Sequence, residues 1–366
     1  MRRQGSSSTI DSKQLRFGRG GWCLALGTML LLGACARPSL PLLQNDRAGA
    51  PQWPEAPMQA KVQWVKSVST ARDAGITASF WNQVRDIFTG AQPDNIVKPH
   101  GVLFDDAGRL FVADSGLGVV HLMDTKKGVY ARISAPHGAP FLSPIGLAQD
   151  ERGGLFITDS ASDTVYRYDL AGGEVTPFFR EVARPTGIAY NRVNKLIYIA
   201  ETGMGRVLAV DGAGAQKLTI DASKAGDGFF NRPVDLAIDH SGQLYVNDPL
   251  NYKINVFSSD GRLVARFGEM GDALGEMNKP KGIAVDAQGQ VYVCDALLDT
   301  VQLFDETGQY LFSFGANGTG AGYFWMPSGI FIHKNYAFVS DTYNNRVQVF
   351  RLLSGAESDD QDAQPK

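Results

Sequence analysis

The sequence predicts an all-β fold, a six-bladed propeller of four-stranded antiparallel blades, on three observations. A proline opens each of six similar units, at Pro99, Pro144, Pro185, Pro233, Pro280 and Pro327, with intervals of 45, 41, 48, 47 and 47 residues. Each unit holds short runs of β-branched and aromatic residues bounded by Gly, Asp and Asn, which is the punctuation of strands and not of helices. An acid closes the second run of every unit: Asp114, Asp159, Glu201, Asp248, Asp295 and Asp341. Four strands at a period near 45 residues make a propeller blade, and such a blade must stack on neighbours to cover both its faces.

The units can be followed run by run, most cleanly from Lys279 to Asp305. The first strand reads GVLF from Gly101, GLAQD from Gly146, GIAY from Gly187, GIAVD from Gly282 and GIFI from Gly329; the fourth unit departs, with Asp235 in place of Gly. The second strands (LFVAD, LFITD, LIYIAE, LYVND, VYVCD, YAFVSD) are almost continuously apolar, as strands covered on both faces should be. Third strands follow, as in VYRYD from Val165, and five units have a fourth: VYARIS, EVTPFF, QKLTI, LVARFG and YLFSFG. The sixth unit runs out after Leu353 into SGAESDDQDAQPK, too polar and acidic for a strand. Its fourth strand is predicted from the other end of the chain, KVQWVKSV from Lys61 to Val68, which closes the ring and removes a free sheet edge.

The run TYNNRVQVF after Asp341 and the loops GDGFFNRP, GEMGDALGEMNKP and GANGTGAGYFWMP resemble the NHL-repeat family of six-bladed propellers over about residues 61–352. That resemblance implies a fold and a ring of loops; it does not imply a reaction, because propellers host many functions.

The N-terminus is a separate matter. Arg2, Arg3, Lys13, Arg16 and Arg19 precede an uncharged, Leu-rich stretch from Gly20 to Ala34, too short to span a bilayer, so residues 1–34 read as a signal peptide. The ending Leu32-Gly33-Ala34-Cys35 resembles the bacterial lipoprotein box and implies cleavage before Cys35 and its lipidation. Ala36, in place of Asp, resembles the class sorted to the outer membrane, facing the periplasm or the cell surface. Residues 35–60 carry five prolines and no strand pattern and read as a semi-rigid tether reaching up to roughly 75 Å at about 3.1 Å per residue. Cys294 is left alone in an apolar strand, so the fold depends on its core and not on disulfides. Between the closing strand and blade one, FWNQVRDIF places Phe80, Trp81, Val84, Ile87 and Phe88 on one face of a short helix. Residues 353–366 read as an acidic, disordered tail.

Without residues 1–34 the chain keeps 30 Lys+Arg and 37 Asp+Glu, a net charge of about −7. That balance and an export signal argue against a nucleic-acid partner. In each blade, the start of the first strand and the end of the second open on one face, so the residues after the prolines and the six carboxylates surround one channel mouth. The positions after proline are His100, Ile145, Thr186, Val234, Lys281 and Ser328. The recurring acids read as structural acceptors. His100, Asp235 and Lys281 break the pattern and, with Thr186 and Ser328, are the candidate binding residues. A metal site is not expected: His240 and His333 fall at opposite-face turns, His121 lies in a third strand, and only His100 and His137 remain, one short of a three-His zinc site. No hydrolase, phosphate-loop or paired-Cys motif is present, and no cofactor is expected. The expected function is a monomeric, membrane-anchored binding or assembly scaffold for a protein or envelope carbohydrate. The alternative is a metal-dependent lyase or lactonase at the same mouth.

Overall fold

The computed structural model describes residues 42–44, 49–76, 94–221 and 230–353. Six antiparallel sheets are arranged as blades. Blade one runs through strands Pro99–Phe104, Arg109–Asp114, Val119–Asp124 and Val129–Ile133, paired in that order from the axis outward. Blades two to five repeat this path, their inner strands being Pro144–Gln149, Pro185–Tyr190, Asp235–Ile238 and Pro280–Val285. The sixth has inner strands Pro327–His333, Tyr336–Asp341 and Arg346–Leu352, and its outer strand is Val62–Val68 from the opposite end of the chain. The register Val62↔Leu352 to Val68↔Val347 closes the ring.

Strand periodicity explains how so many apolar residues are covered. Alternate side chains of one strand point to opposite faces, so each blade feeds two seams. Leu110 and Val112 pack toward blade six with Phe338 and Val349, while Phe111 and Ala113 pack toward blade two with Leu155 and Ile157. Six such cores exist among the described residues, one per seam. Cys294 lies in the seam between blades five and six, and burial pushes its thiol well above the ordinary range. It is a small hydrophobe there.

The segment read as a free tether is in part folded. Gln52–Trp53 pairs with Val62 and Gln63 as a fifth strand of the closing sheet. The Trp53 ring lies 6.0 Å from those of both Phe314 and Phe350. Leu42 is buried in the seam between blades one and six. Residues 49–60 therefore add no reach, and a tether can begin only before them. The expected helix Phe80–Phe88 and the acidic tail lie outside the described residues.

Candidate functional site

The six inner strands surround a central cavity of about 1030 Å³ that runs the length of the channel. His100, Thr186, Lys281 and Ser328 line one end, where the inter-blade loops gather; Asp105, Asp106, Tyr190 and His333 line the other. The glycine that follows each of these mouth positions has a steric cause. A Cβ on Gly282 would lie 2.9 Å from both Ser328 O and Gly329 Cα, and one on Gly101, Gly146 or Gly329 would overlap the carbonyl oxygen of Ile145, Thr186 or His100. Neighbouring inner strands touch backbone to backbone at this level, which fixes the side chains just above them around the mouth.

Asp235 replaces one glycine of this ring. Its Oδ2 accepts the Ile283 N–H across the seam at 3.0 Å. The carboxyl keeps some accessible surface toward the cavity but is packed by protein on its other sides, and this burial pushes its pKa up to about 7. The backbone N–H groups of Ile283 and Leu236 oppose the shift without cancelling it.

The other candidate residues divide by how far the fold already uses them. Thr202 Oγ1 donates to Pro233 O at 2.6 Å and lies 2.6 Å from Thr186 Oγ1, so the Thr186 hydroxyl serves the seam between blades three and four. Thr342 and Ser328 repeat the device against Pro99 O between blades six and one. Lys281 has its carbonyl held by Asn247 Nδ2 at 2.7 Å, which leaves its side chain to the cavity. Burial lowers the Lys281 ammonium pKa, and Lys279 and Lys98 add repulsion. His100 is lowered to about 4 by burial, then by Lys281 and Lys98, with Asp114 opposing weakly.

The six carboxylates stand at the same end of the blades but do not line the cavity. All six are buried. Each accepts backbone N–H groups from the loop before its blade's proline: Val97 and Lys98 on Asp114, Leu142 and Ser143 on Asp159, Ala183 on Glu201, Asn231 on Asp248, Asn278 and Lys279 on Asp295, and Trp325 on Asp341, at 2.7–3.0 Å. They are loop clamps. Side chains complete several of them, with His121 on Asp114, Arg206 on Glu201, and Arg346 and Asn344 on Asp341.

Two features of this face escape the sequence reading above. The residue before the proline is Lys98, Arg184, Arg232 and Lys279 in blades one, three, four and five, a pattern visible in the sequence once its position is known to be the mouth. Arg184, Arg232 and Lys279 line the cavity. The second feature is apolar: Leu250 and Leu297, in turns that follow the clamping acids, and Trp325 and Tyr343 are each about half exposed. The last two pack together with ring centroids 5.6 Å apart.

Metal ligation finds no support in the donor set. Among the described residues, no three His, Cys, Asp or Glu side chains converge. His137 is exposed in a 3-10 turn (Pro136–Gly138) outside the cavity lining, His121 is fully buried in blade one, and His333 lies at the far end of the channel, 3.5 Å from Asp106.

No family model and no curated protein sequence matches the chain. Solved structures do. Virginiamycin B lyase from Staphylococcus aureus superposes with a TM-score of 0.54 at 13% identity, over 70% of this chain and 96% of that one. An auxiliary nutrient-binding protein from Bacteroides thetaiotaomicron gives 0.57 at 14% identity, over 70% of each chain. Hydrazine synthase of Kuenenia stuttgartiensis gives 0.52 at 14% identity, over 73% of this chain and 99% of that one. At these identities the likeness is one of fold alone, and the proteins that share it have unrelated activities.

Proposed function

We propose that the protein is an envelope-anchored binding scaffold that engages its partner through the inter-blade loop face, centred on the channel mouth. One observation carries this reading: an open cavity ringed by cations lies on the same face as the exposed Leu250, Leu297, Trp325 and Tyr343. Aromatic and aliphatic anchors beside charged groups are the composition of recognition surfaces. In this proposal the blades are of NHL type, residues 1–34 are a signal peptide, Cys35 is lipidated at the outer membrane, and a monomer of residues 61–352 presents the face to a protein or envelope carbohydrate. The metal-dependent lyase or lactonase is the weaker alternative, because the donors do not converge at the mouth.

Photo-crosslinking in cells producing the full-length chain tests the face directly. A benzophenone side chain placed at Leu297 or Leu250 should give one discrete crosslinked species, the same from both positions. The same group at Leu263, on an outer blade edge, should give none. Equal crosslinking from Leu263, or none from the loop face, refutes the reading. The anchor has its own test: the wild-type N-terminal peptide should carry acyl groups on Cys35 by mass spectrometry and Cys35→Ser should carry none, and an unacylated wild-type peptide refutes lipidation.

A further inference from the structure

The chain is acidic overall, with a formal charge of −3, yet its channel mouth is cationic. Lys98, Arg184, Arg232, Lys279 and Lys281 gather there with His100. Among the described residues none of these five Lys and Arg side chains forms an ion pair. The reason is local. Of the acids at this end of the blades, the six clamps are turned inward onto backbone N–H groups, including those of Lys98 and Lys279 themselves, and Asp235 in the glycine ring accepts the Ile283 N–H. The fold thus turns the charge of the six clamps inward and leaves the positive charge on the surface. The mutual repulsion shows in the groups themselves: burial first, then Lys279 and Lys98, lower the Lys281 pKa.

The backbone under two of the cations is costly as well. Arg184 (φ 49°) and Arg232 (φ 65°) occupy the left-handed region, which disfavours a side-chain-bearing residue. A glycine would sit there without strain, and Met326, before the blade-six proline, takes the same conformation (φ 54°). Below the cations the channel wall changes character. Ile145 and Val234 stand at the mouth, and Ala189, Ile238, Val285 and Phe331 follow. A concave, mainly apolar space with a few convergent polar groups is the general form of a small-molecule site.

We propose that the channel binds an organic anion, its carboxylate, phosphate or sulfate group held by Lys281 and the cations before the prolines, its apolar body seated on the wall below. This rests on the proposed use of the mouth for binding and names the ligand chemistry. The cavity volume accommodates a drug-sized body. The head group neutralises a charge cluster that the protein leaves open.

Calorimetric titration of the full-length chain in phospholipid nanodiscs, with empty nanodiscs subtracted, tests it. The probes are 1-naphthyl phosphate, 1-naphthoate and the neutral 1-naphthyl glucoside. Both anions should bind, at least tenfold tighter than the glucoside, and should weaken as NaCl rises from 0.05 to 0.5 M through screening. The tighter of the two identifies the preferred head group. Lys281→Gln should weaken anion binding at least tenfold without changing the glucoside. Lys279→Gln, whose side chain is exposed and whose backbone alone serves the clamp, provides the second variant should Lys281→Gln not fold. No anion binding, equal affinity for the glucoside, or unchanged affinity in a folded variant overturns the inference. Crosslinking from Leu297 does not depend on small anions, so its persistence alongside a failed titration would sink this inference and leave the scaffold reading intact.

Discussion

Asp235→Asn should remove a pH dependence of stability that the ring of inner strands builds in. The folded carboxyl has its pKa raised to about 7 by burial, whereas in the unfolded chain it titrates near its ordinary value of about 3.9. Between those values the folded state binds more protons than the unfolded one, so stability falls as pH rises through the window. Below about pH 4 both states hold the proton and nothing is lost. Above about pH 7 both are ionised, and the folded state bears the whole shift of roughly 3 pK units, at most about 4 kcal/mol. From pH 5 to pH 8 the loss is about 2 to 3 kcal/mol by the same linkage. Asn keeps an oxygen to accept the Ile283 N–H and cannot ionise. The assay is urea denaturation of wild type and variant at pH 5 and pH 8, read as the difference between the two proteins at each pH, so that groups uncoupled from Asp235 cancel. The variant should gain about 2 to 3 kcal/mol relative to wild type on going to pH 8. A difference that is the same at both pH values refutes a buried, proton-binding Asp235.

Three further outcomes follow from the same geometry. Gly329→Ala should destabilise by about 3 kcal/mol or more, because its Cβ would overlap His100 O, a backbone atom that cannot yield without moving the neighbouring blade; a denaturation midpoint equal to wild type would contradict the contact. Asp295→Ala should cost about 3 kcal/mol by orphaning the Asn278 and Lys279 N–H groups, with amide hydrogen exchange accelerated in the loop before Pro280 and not in the outer strand Tyr310–Phe314. Burial alone would raise the Asp114 pKa, but hydrogen bonds from His121, Val97 and Lys98 outweigh it and lower it to about 2. This group therefore contributes about 2 kcal/mol that is present above about pH 4 and lost as pH falls toward 2, and Asp114→Asn should flatten that acid limb of the denaturation curve.

Much of the fold was legible because the repeat states it six times. The proline spacing, the almost continuously apolar second strands and the closing strand of residues 61–68 are all read from short apolar runs cut by turn residues, and a pattern repeated sixfold averages out local ambiguity. Gln52–Trp53 was not legible, since a two-residue strand among prolines has no period to read and exists only because Phe314 and Phe350 offer a surface for Trp53. At the site, the oddness of His100, Asp235 and Lys281 could be read from the breaks they make in the repeat. The roles of Thr186 and Ser328 could not, because their partners, Thr202 and Thr342, are seen only when the strand ends are superposed in space. The cations before the prolines were plainly written in the sequence. They acquire meaning only once the clamping acids are known to face inward, and that is a matter of side-chain direction at a strand end.

The division of labour between repeated and unrepeated residues bears on function. Whatever recurs in all six blades has to serve a need that every blade shares, and the clamping acids do so by holding one loop each. Asymmetry cannot serve such a need, and the loop face is asymmetric. Ser143 and Met326 interrupt the cations in blades two and six, and the exposed apolar side chain changes from blade to blade, from Leu142 in two and Met204 in three to Leu250 in four, Leu297 in five, and Trp325 with Tyr343 in six. A ring that only had to stay closed would gain nothing from unpaired cations and apolar side chains on one face, and exposing half of each large apolar side chain forgoes burial worth about 25 cal/mol for every Å² left in water. Side chains that weaken the isolated molecule and gather on one face make sense as a surface for something else to cover. The channel mouth beside them is where that contact would begin.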